Sequence, residues 1–268
     1  ELTAIRSPGG IAQPDEDGPL DPARAATNFV LFRVARDRSA FLAALEARGV
    51  LMVAYPRGQV RAVVLHLAAA ILGIAPEDVR IIPAACGGGF GSKLDLSVQP
   101  FLALAAWLTN RPCAMIYTRP ESIASTTKRH PSRMTSRIGA NRDGKLVAMD
   151  FVGKFNTGAY SSWGPTVANR VPVHASGPYV VPHYRALSRA VLTNFVPSGA
   201  FRGFGVPQTV IAQEQLLDEL ALKLGLDPLE FRILNALTND TPTVTGQVMG
   251  DGVGFRECLE ALRPAWKR

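Results

Sequence analysis

Two short stretches of this chain combine glycine, phenylalanine and a basic residue in a way that could serve chemistry. The first reads CGGGFGSKLD over residues 86–95, with four glycines in five positions and Lys93 close behind. The second reads AFRGFG over residues 200–205, roughly 110 residues later. Glycine in an element interior costs about 0.5–1 kcal/mol relative to alanine, so such clusters call for a reason. One reason is a sharp turn packed by phenylalanine. Another is a large ligand that comes close to the backbone and takes hydrogen bonds from bare main-chain N–H groups.

Familiar glycine-loop chemistries fail on spacing. In a Walker loop glycine directly precedes lysine, whereas Ser92 separates Gly91 from Lys93. A dinucleotide fingerprint starting at Gly87 needs glycine where Ser92 stands. The chain has no G-x-S-x-G elbow. Its four histidines, His66, His130, His174 and His183, form no H-E-x-x-H pair and are expected to be hydrogen-bonded structural residues. Cys86, Cys113 and Cys258 are far apart, which excludes a C-x-x-C cluster and fits buried thiols in a reducing, cytoplasmic setting.

The elements that must carry these stretches follow from hydrophobic period and punctuation. Residues 1–24, rich in Pro, Gly and Asp, read as an extended arm, and Ala40–Arg48 as a short helix. Val60, Val63, Val64, Leu67, Ala68 and Ile71 recur at helical spacing, and Gly73 stands at the C-terminal cap. A turn and a short strand over Val79–Ile82 lead into the first glycine loop. A helix is expected over Ser97–Thr109, ending at Asn110, and a strand over Cys113–Thr118. Met134–Ala140 and Leu146–Phe155 flank NRDG, a hairpin signal. Arg185–Asn194 reads as another strand before the second glycine loop. Val206–Leu224, with Pro207 near its start and Gly225 beyond its end, is a helix. Asp227 caps the next, which runs to about Ala236, and a last helix covers Phe255–Leu262. The mixture lacks strict βαβ alternation and gives an α+β class of mixed sheets and helices in two lobes.

A formal charge of +7 and a pI near 9.7 invite a nucleic-acid reading. The densest basic stretch, Arg119–Arg137, has no interleaved stacking aromatics, and no nucleic-acid motif occurs. A solvated basic face, or a site for an anionic group, is expected instead. The longest apolar run, Ala62–Ala75, is interrupted and too short to span a bilayer. A hydrophobic fraction of 47% hints at surface buried against partners.

GGGFGSK and AFRGFGVPQ, in this order and at this separation, resemble the paired signature of the molybdenum hydroxylases, the xanthine dehydrogenase/aldehyde oxidase family. The resemblance covers roughly Gly49–Trp266, leaving residues 1–48 unassigned and 49–268 as a molybdopterin-binding domain, the first half of the family's molybdenum-binding region. It implies a molybdenum–molybdopterin cofactor, in the cytosine dinucleotide form, whose metal takes no ligand from protein side chains. By position in the motifs, Gln59 matches a glutamine that hydrogen-bonds a ligand of the metal. Gly89, Phe90 and Gly91 match loop residues lying against the cofactor, and Phe201 and Arg202 match the second loop.

The resemblance also implies substrate positions. Phe204 matches a phenylalanine that packs on aromatic substrate, and Arg170 a substrate-orienting arginine. Leu94 stands where purine oxidisers carry a glutamate, which counts against xanthine. Gly203 stands where the carbon monoxide dehydrogenases carry a cysteine, which counts against a copper–molybdenum site. A heteroaromatic or aldehyde-type substrate remains, hydroxylated with water-derived oxygen. The family's catalytic base is a glutamate in a G-x-G-E motif, and no such motif occurs in these 268 residues. The expected assembly therefore adds a C-terminal molybdenum-domain chain, an iron–sulfur subunit with a 2Fe-2S centre and an FAD subunit. The rival reading is a non-catalytic remnant that binds a partner or an anion.

Overall fold

The structure, a computed structural model, describes residues 3–4, 30–32, 59–81, 88–91 and 93–266. They form two compact units, 1–128 and 129–268. The helix expected over Ala40–Arg48 and Cys86 lie outside the described residues. Of the arm expected over 1–24, the described part is strand β1, Thr3–Ala4.

In the first unit, β2 (Val30–Phe32) and β1 flank β3 (Cys113–Met115), antiparallel and parallel respectively. Helix α1 (Gln59–Leu72) ends where Gly73 takes a φ of 65°. Helix α2 (Gln99–Thr109) ends in left-handed Asn110. Ala68, Ala69, Val98, Leu102, Ala103, Ala106 and Cys113 make the core of this unit. Val79 and Ile81 join it, but the described part of the expected strand, Val79–Ile81, is not in a strand. A single turn of 3₁₀ helix at Pro76–Asp78 leads into extended backbone that pairs with no strand among the described residues. The strand expected over Cys113–Thr118 stops at Met115. Thr118 instead caps an unexpected helix, α3 (Arg119–Ser125), through a reciprocal capping box with Glu121.

The second unit is built on the sheet β4–β5–β6, spanning Ser132–Ala140, Leu146–Gly158 and His183–Leu192. The NRDG turn delivers the expected antiparallel hairpin between β4 and β5. By contrast β6 runs parallel to β5. A parallel neighbour requires a crossover, supplied here by helix α4 (Gly164–His174), which the sequence did not announce. Helices α5 (Val206–Leu224) and α6 (Pro228–Asn235) begin and end as expected. The last helix, α7 (Phe255–Trp266), runs four residues past its expected end through Pro264. Phe151, Phe155, Val171, Leu217, Ala221 and Phe231 form the buried centre, between one face of the sheet and α4 to α6. Alternate β-strand residues face opposite sides, so the other face of this sheet looks outward.

Two polar devices tie the layers together. Buried Asn235 accepts from the Leu146 N–H at 2.8 Å and donates to the Gly144 and Phe231 carbonyls, both at 2.8 Å. The β4–β5 turn is thereby pinned to the end of α6. Arg232 meets Glu214 at 2.8 Å and Asp218 at 2.7 Å, locking α6 onto α5. The expectation of buried thiols holds for Cys113 and fails for Cys258, which is exposed on α7. Among the described residues no helix is long and apolar enough to cross a membrane.

Candidate functional site

Both glycine–phenylalanine loops hold their phenylalanine in the left-handed region. Phe90 and Phe204 each have a φ of 50°, followed by Gly91 at 97° and Gly205 at 102°. Such backbone is uncommon for a residue with a Cβ and costs on the order of 1–3 kcal/mol. Phe90 lies in the first unit, 63% exposed. Leu94 turns back there to donate its N–H to the Gly91 carbonyl at 3.2 Å. Gln59 occupies the first position of α1 in the same unit.

The second loop, in the second unit, can be built residue by residue. It leaves buried Ala200, exposes Phe201, Arg202 and Gly203, and closes when the Phe204 N–H donates to the Phe201 carbonyl at 2.7 Å. Gly203, at a φ of 89°, would drive a Cβ to 2.6 Å from the Pro207 ring. Gly205 is the N-cap of α5, and a Cβ there would stand 3.0 Å from the Val167 carbonyl oxygen. Glycine is therefore required on both sides of Phe204, once for the turn and once for the close approach of α4.

Side chains from earlier in the chain hold this loop. Arg129 places its guanidinium carbon 4.5 Å from the Phe201 ring centroid and donates Nη2 to the Arg202 carbonyl at 2.6 Å. Partial burial pulls the Arg129 pKa below its ordinary value. Arg170 sits with its guanidinium carbon 5.6 Å from the Phe204 ring centroid, and Trp163 meets the same ring edge-on at 6.2 Å. Both come from the α4 region, Trp163 as its N-cap and Arg170 near its C-terminal end. Arg170 Nη2 also lies 3.4 Å from His174 Nε2. Burial first, then the Arg170 charge, lower the His174 pKa.

Among the described residues, four buried polar atoms on residues in contact with the loop or close to it in sequence have no hydrogen-bond partner: Arg129 Nη1, His130 Nε2, Ser198 Oγ and Gln208 Oε1. Their residues are linked. Gln208 Nε2 donates to the His130 carbonyl at 3.3 Å, and the Ser198 N–H donates to the Thr157 carbonyl at 2.8 Å. Thr157 and His130 Nε2 both stand where a Cβ on Gly164 would collide with them. Burial depresses the His130 pKa to about 4, so the ring is neutral at pH 7. Among the described residues His130 Nε2 has no hydrogen-bond partner. Buried polar atoms are nearly always paired, and exceptions ask for an explanation. This set offers a cationic donor, an acceptor and two groups of either kind. It suits a polar ligand carrying both donors and acceptors, as a pterin does. Among the described residues no group of three His, Cys, Asp or Glu could hold a metal ion.

Of the residues expected at the site, the structure brings Phe201, Arg202, Phe204 and Arg170 together. Gln59, Gly89, Phe90, Gly91 and Leu94 belong to the first unit. Arg129, His130, Trp163 and Gln208 emerge only from the structure. The signal for Gln208 lay within AFRGFGVPQ, whereas Arg129 reads in sequence as one cation of a basic stretch.

Comparison with known proteins supplies the context. The family described as molybdopterin cofactor-binding domain matches residues 37–236. The nicotinate dehydrogenase large molybdopterin subunit of Eubacterium barkeri is 46% identical over 78% of this chain and 47% of its own length. The xanthine dehydrogenase molybdenum-binding subunit of Escherichia coli is 35% identical over 76% of this chain and 27% of its own length. The solved aldehyde oxidoreductase of Desulfovibrio gigas superposes with a TM-score of 0.70 at 34% identity, over 76% of this chain and 22% of that one. The chain thus spans about half or less of the length of these relatives.

Proposed function

The chain belongs to the molybdenum hydroxylase family, and from that premise we propose that it forms part of the molybdopterin pocket of an oxidoreductase that hydroxylates an N-heteroaromatic substrate. The observation that carries this reading is the loop Phe201–Gly205, clamped by Arg129, together with the buried polar atoms of Arg129, Ser198 and Gln208 that have no partner among the described residues. Bound molybdopterin would supply the metal centre at which water-derived oxygen reaches the substrate and two electrons are taken up. The chain's own residues do the holding and orienting. Arg129 Nη1, Ser198 Oγ and Gln208 Oε1 would offer the pterin hydrogen bonds; Gly89, Phe90 and Gly91 are assigned to the cofactor on their motif alone. Gln59 and Arg202 are assigned to the ligands of the metal.

Phe204 offers its ring to an aromatic substrate, and Arg170 offers positive charge to a carboxylate or to negative charge developing on the ring. An aromatic acid uses both, which agrees with the substrate named for the Eubacterium barkeri relative. Leu94, which cannot hydrogen-bond substrate, favours such a ring over a purine. An aldehyde-type substrate is the second reading, favoured by the likeness to aldehyde oxidoreductase. The general base is assigned to sequence beyond these 268 residues, and electron-transfer centres of the 2Fe-2S and FAD types to companion chains. The test is molybdenum per polypeptide, measured by elemental mass spectrometry on the gently purified native assembly. Near-stoichiometric metal is expected. Its absence from the intact assembly would sink the catalytic reading in favour of a partner- or anion-binding remnant.

A further inference from the structure

The outward face of the β4–β5–β6 sheet carries charge that the fold itself does not use. In register across the three strands stand Arg133, Lys154 and Arg189, all exposed. None has an ion-pair partner among the described residues. Neighbouring strands lie about 4.8 Å apart, and like charges directly opposite one another destabilise a sheet. Four residues along, roughly 13 Å away at strand rise, a second row reads Arg137, Asp150 and Arg185. Arg185 grips Asp150 at 2.8 Å, which leaves this row with an excess of positive charge. Between the rows lie Thr135, Val152 and Leu187, with Val152 and Leu187 exposed. Past the second row, Gly139 and Ala148 carry little side chain, and the sheet drops into a depression of about 450 Å³ beside His183.

We propose that this face docks an acidic polypeptide segment of a companion chain, with carboxylates over the two basic rows and an apolar side chain over Val152 and Leu187. Charge complementarity selects the partner: five cations and one carboxylate share the face. Nucleic acid fits less well. No aromatic ring stands in these rows to stack a base. The apolar middle row suits a side chain rather than a sugar–phosphate backbone. The proposal does not depend on the cofactor reading, since none of these residues touches the Phe201–Gly205 loop in any contact described above.

The probe is a short labelled peptide of glutamates with a leucine at every fourth position, set against a DNA duplex of similar length. Binding to the full chain is read by fluorescence anisotropy at low and near-physiological salt. The combined variant Arg133→Glu, Lys154→Glu, Arg189→Glu is expected to weaken peptide binding about tenfold, the sum of three exposed ion pairs. A neutral variant, Arg133→Gln, Lys154→Gln, Arg189→Gln, is expected to weaken it less while holding or raising the melting temperature. Equal peptide affinity in wild type and reversal variant overturns the proposal. So does tighter binding of the duplex through the same three residues. A lower melting temperature for the neutral variant also overturns it, because the row would then serve the fold.

Discussion

Arg129 caps the ring of Phe201, its guanidinium carbon 4.5 Å from the centroid, while one arm of the same group holds the Arg202 carbonyl at 2.6 Å. One side chain thus fixes both a ring and a peptide of a loop that has no regular structure of its own.

Removing that clamp has two separable effects. Arg129→Ala loses a cation–ring contact and a charge-assisted hydrogen bond, which together contribute about 2–3 kcal/mol. Urea denaturation checks this loss. Arg129→Lys keeps the charge but not the planar fork and is expected to fall between the two. In the native assembly both variants should carry less molybdenum per polypeptide than the wild type. Unchanged metal content would remove Arg129 from the cofactor pocket.

Phe204 and Arg170 should affect substrate rather than cofactor. Phe204→Leu gives up ring packing worth about 0.5–1.5 kcal/mol, so KM for an aromatic substrate should rise roughly 2- to 13-fold. Molybdenum content should stay constant. Arg170→Gln should discriminate more sharply, weakening an aromatic carboxylate while sparing an uncharged ring. Steady-state kinetics on a matched pair of substrates reads both effects.

His130 makes stability depend on pH. Burial lowers its folded-state pKa to about 4, against about 6.5 in the unfolded chain. The unfolded state therefore binds more protons between these values, and the neutral ring's contribution is complete above pH 6.5. It is lost progressively as pH falls toward 4, on the order of 2 kcal/mol between pH 7 and pH 5. His174 shifts in the same direction and adds to the slope. His130→Asn should flatten the dependence, seen as a smaller drop in urea midpoint from pH 7 to pH 5.

Asn235 should be among the costliest polar positions. Asn235→Ala strands a buried N–H of Leu146 and deprives the Gly144 and Phe231 carbonyls of a donor. At about 1–3 kcal/mol for each buried group left unpaired, a loss of at least about 2 kcal/mol is expected. Thermal melting checks it. A loss below about 0.5 kcal/mol would mean that the β4–β5 turn relaxes to water.

How much of this was legible in the sequence depended on how local the signal was. Helix α5 announced itself through Pro207 and through Gly225, which takes a φ of 69°. Helix α6 did so through Asp227, whose side chain accepts from the Leu229 and Glu230 N–H groups. NRDG marked a hairpin. Helix α4 stayed hidden because Gly164 and the internal Pro172 argue against a helix, and its support comes from covering the sheet. Helix α3 does carry a local mark, the Thr118–Glu121 capping box, masked in a stretch dominated by arginine and lysine. Val79 and Ile81 alternate like a strand and are buried like one, yet alternation reports a buried side and not a hydrogen-bonded neighbour. At the site, the two motifs carried the loop residues. The Arg129 clamp bridges 73 positions, and no pattern within either stretch encodes it.

The approach of Gly205 to Val167 also constrains how this protein can diversify. Helix α4 supplies Trp163 and Arg170 around the Phe204 ring, and its backbone passes 3.0 Å from where a Cβ on Gly205 would stand. A one-residue insertion in α4 would rotate those side chains by about 100° around the helix axis. It would also push the helix into the start of α5. New substrate preferences in such a chain must therefore arise by exchanging side chains on a helix of fixed length. Trp163 and Arg170 become natural targets for directed evolution, and loop-length libraries there a poor choice.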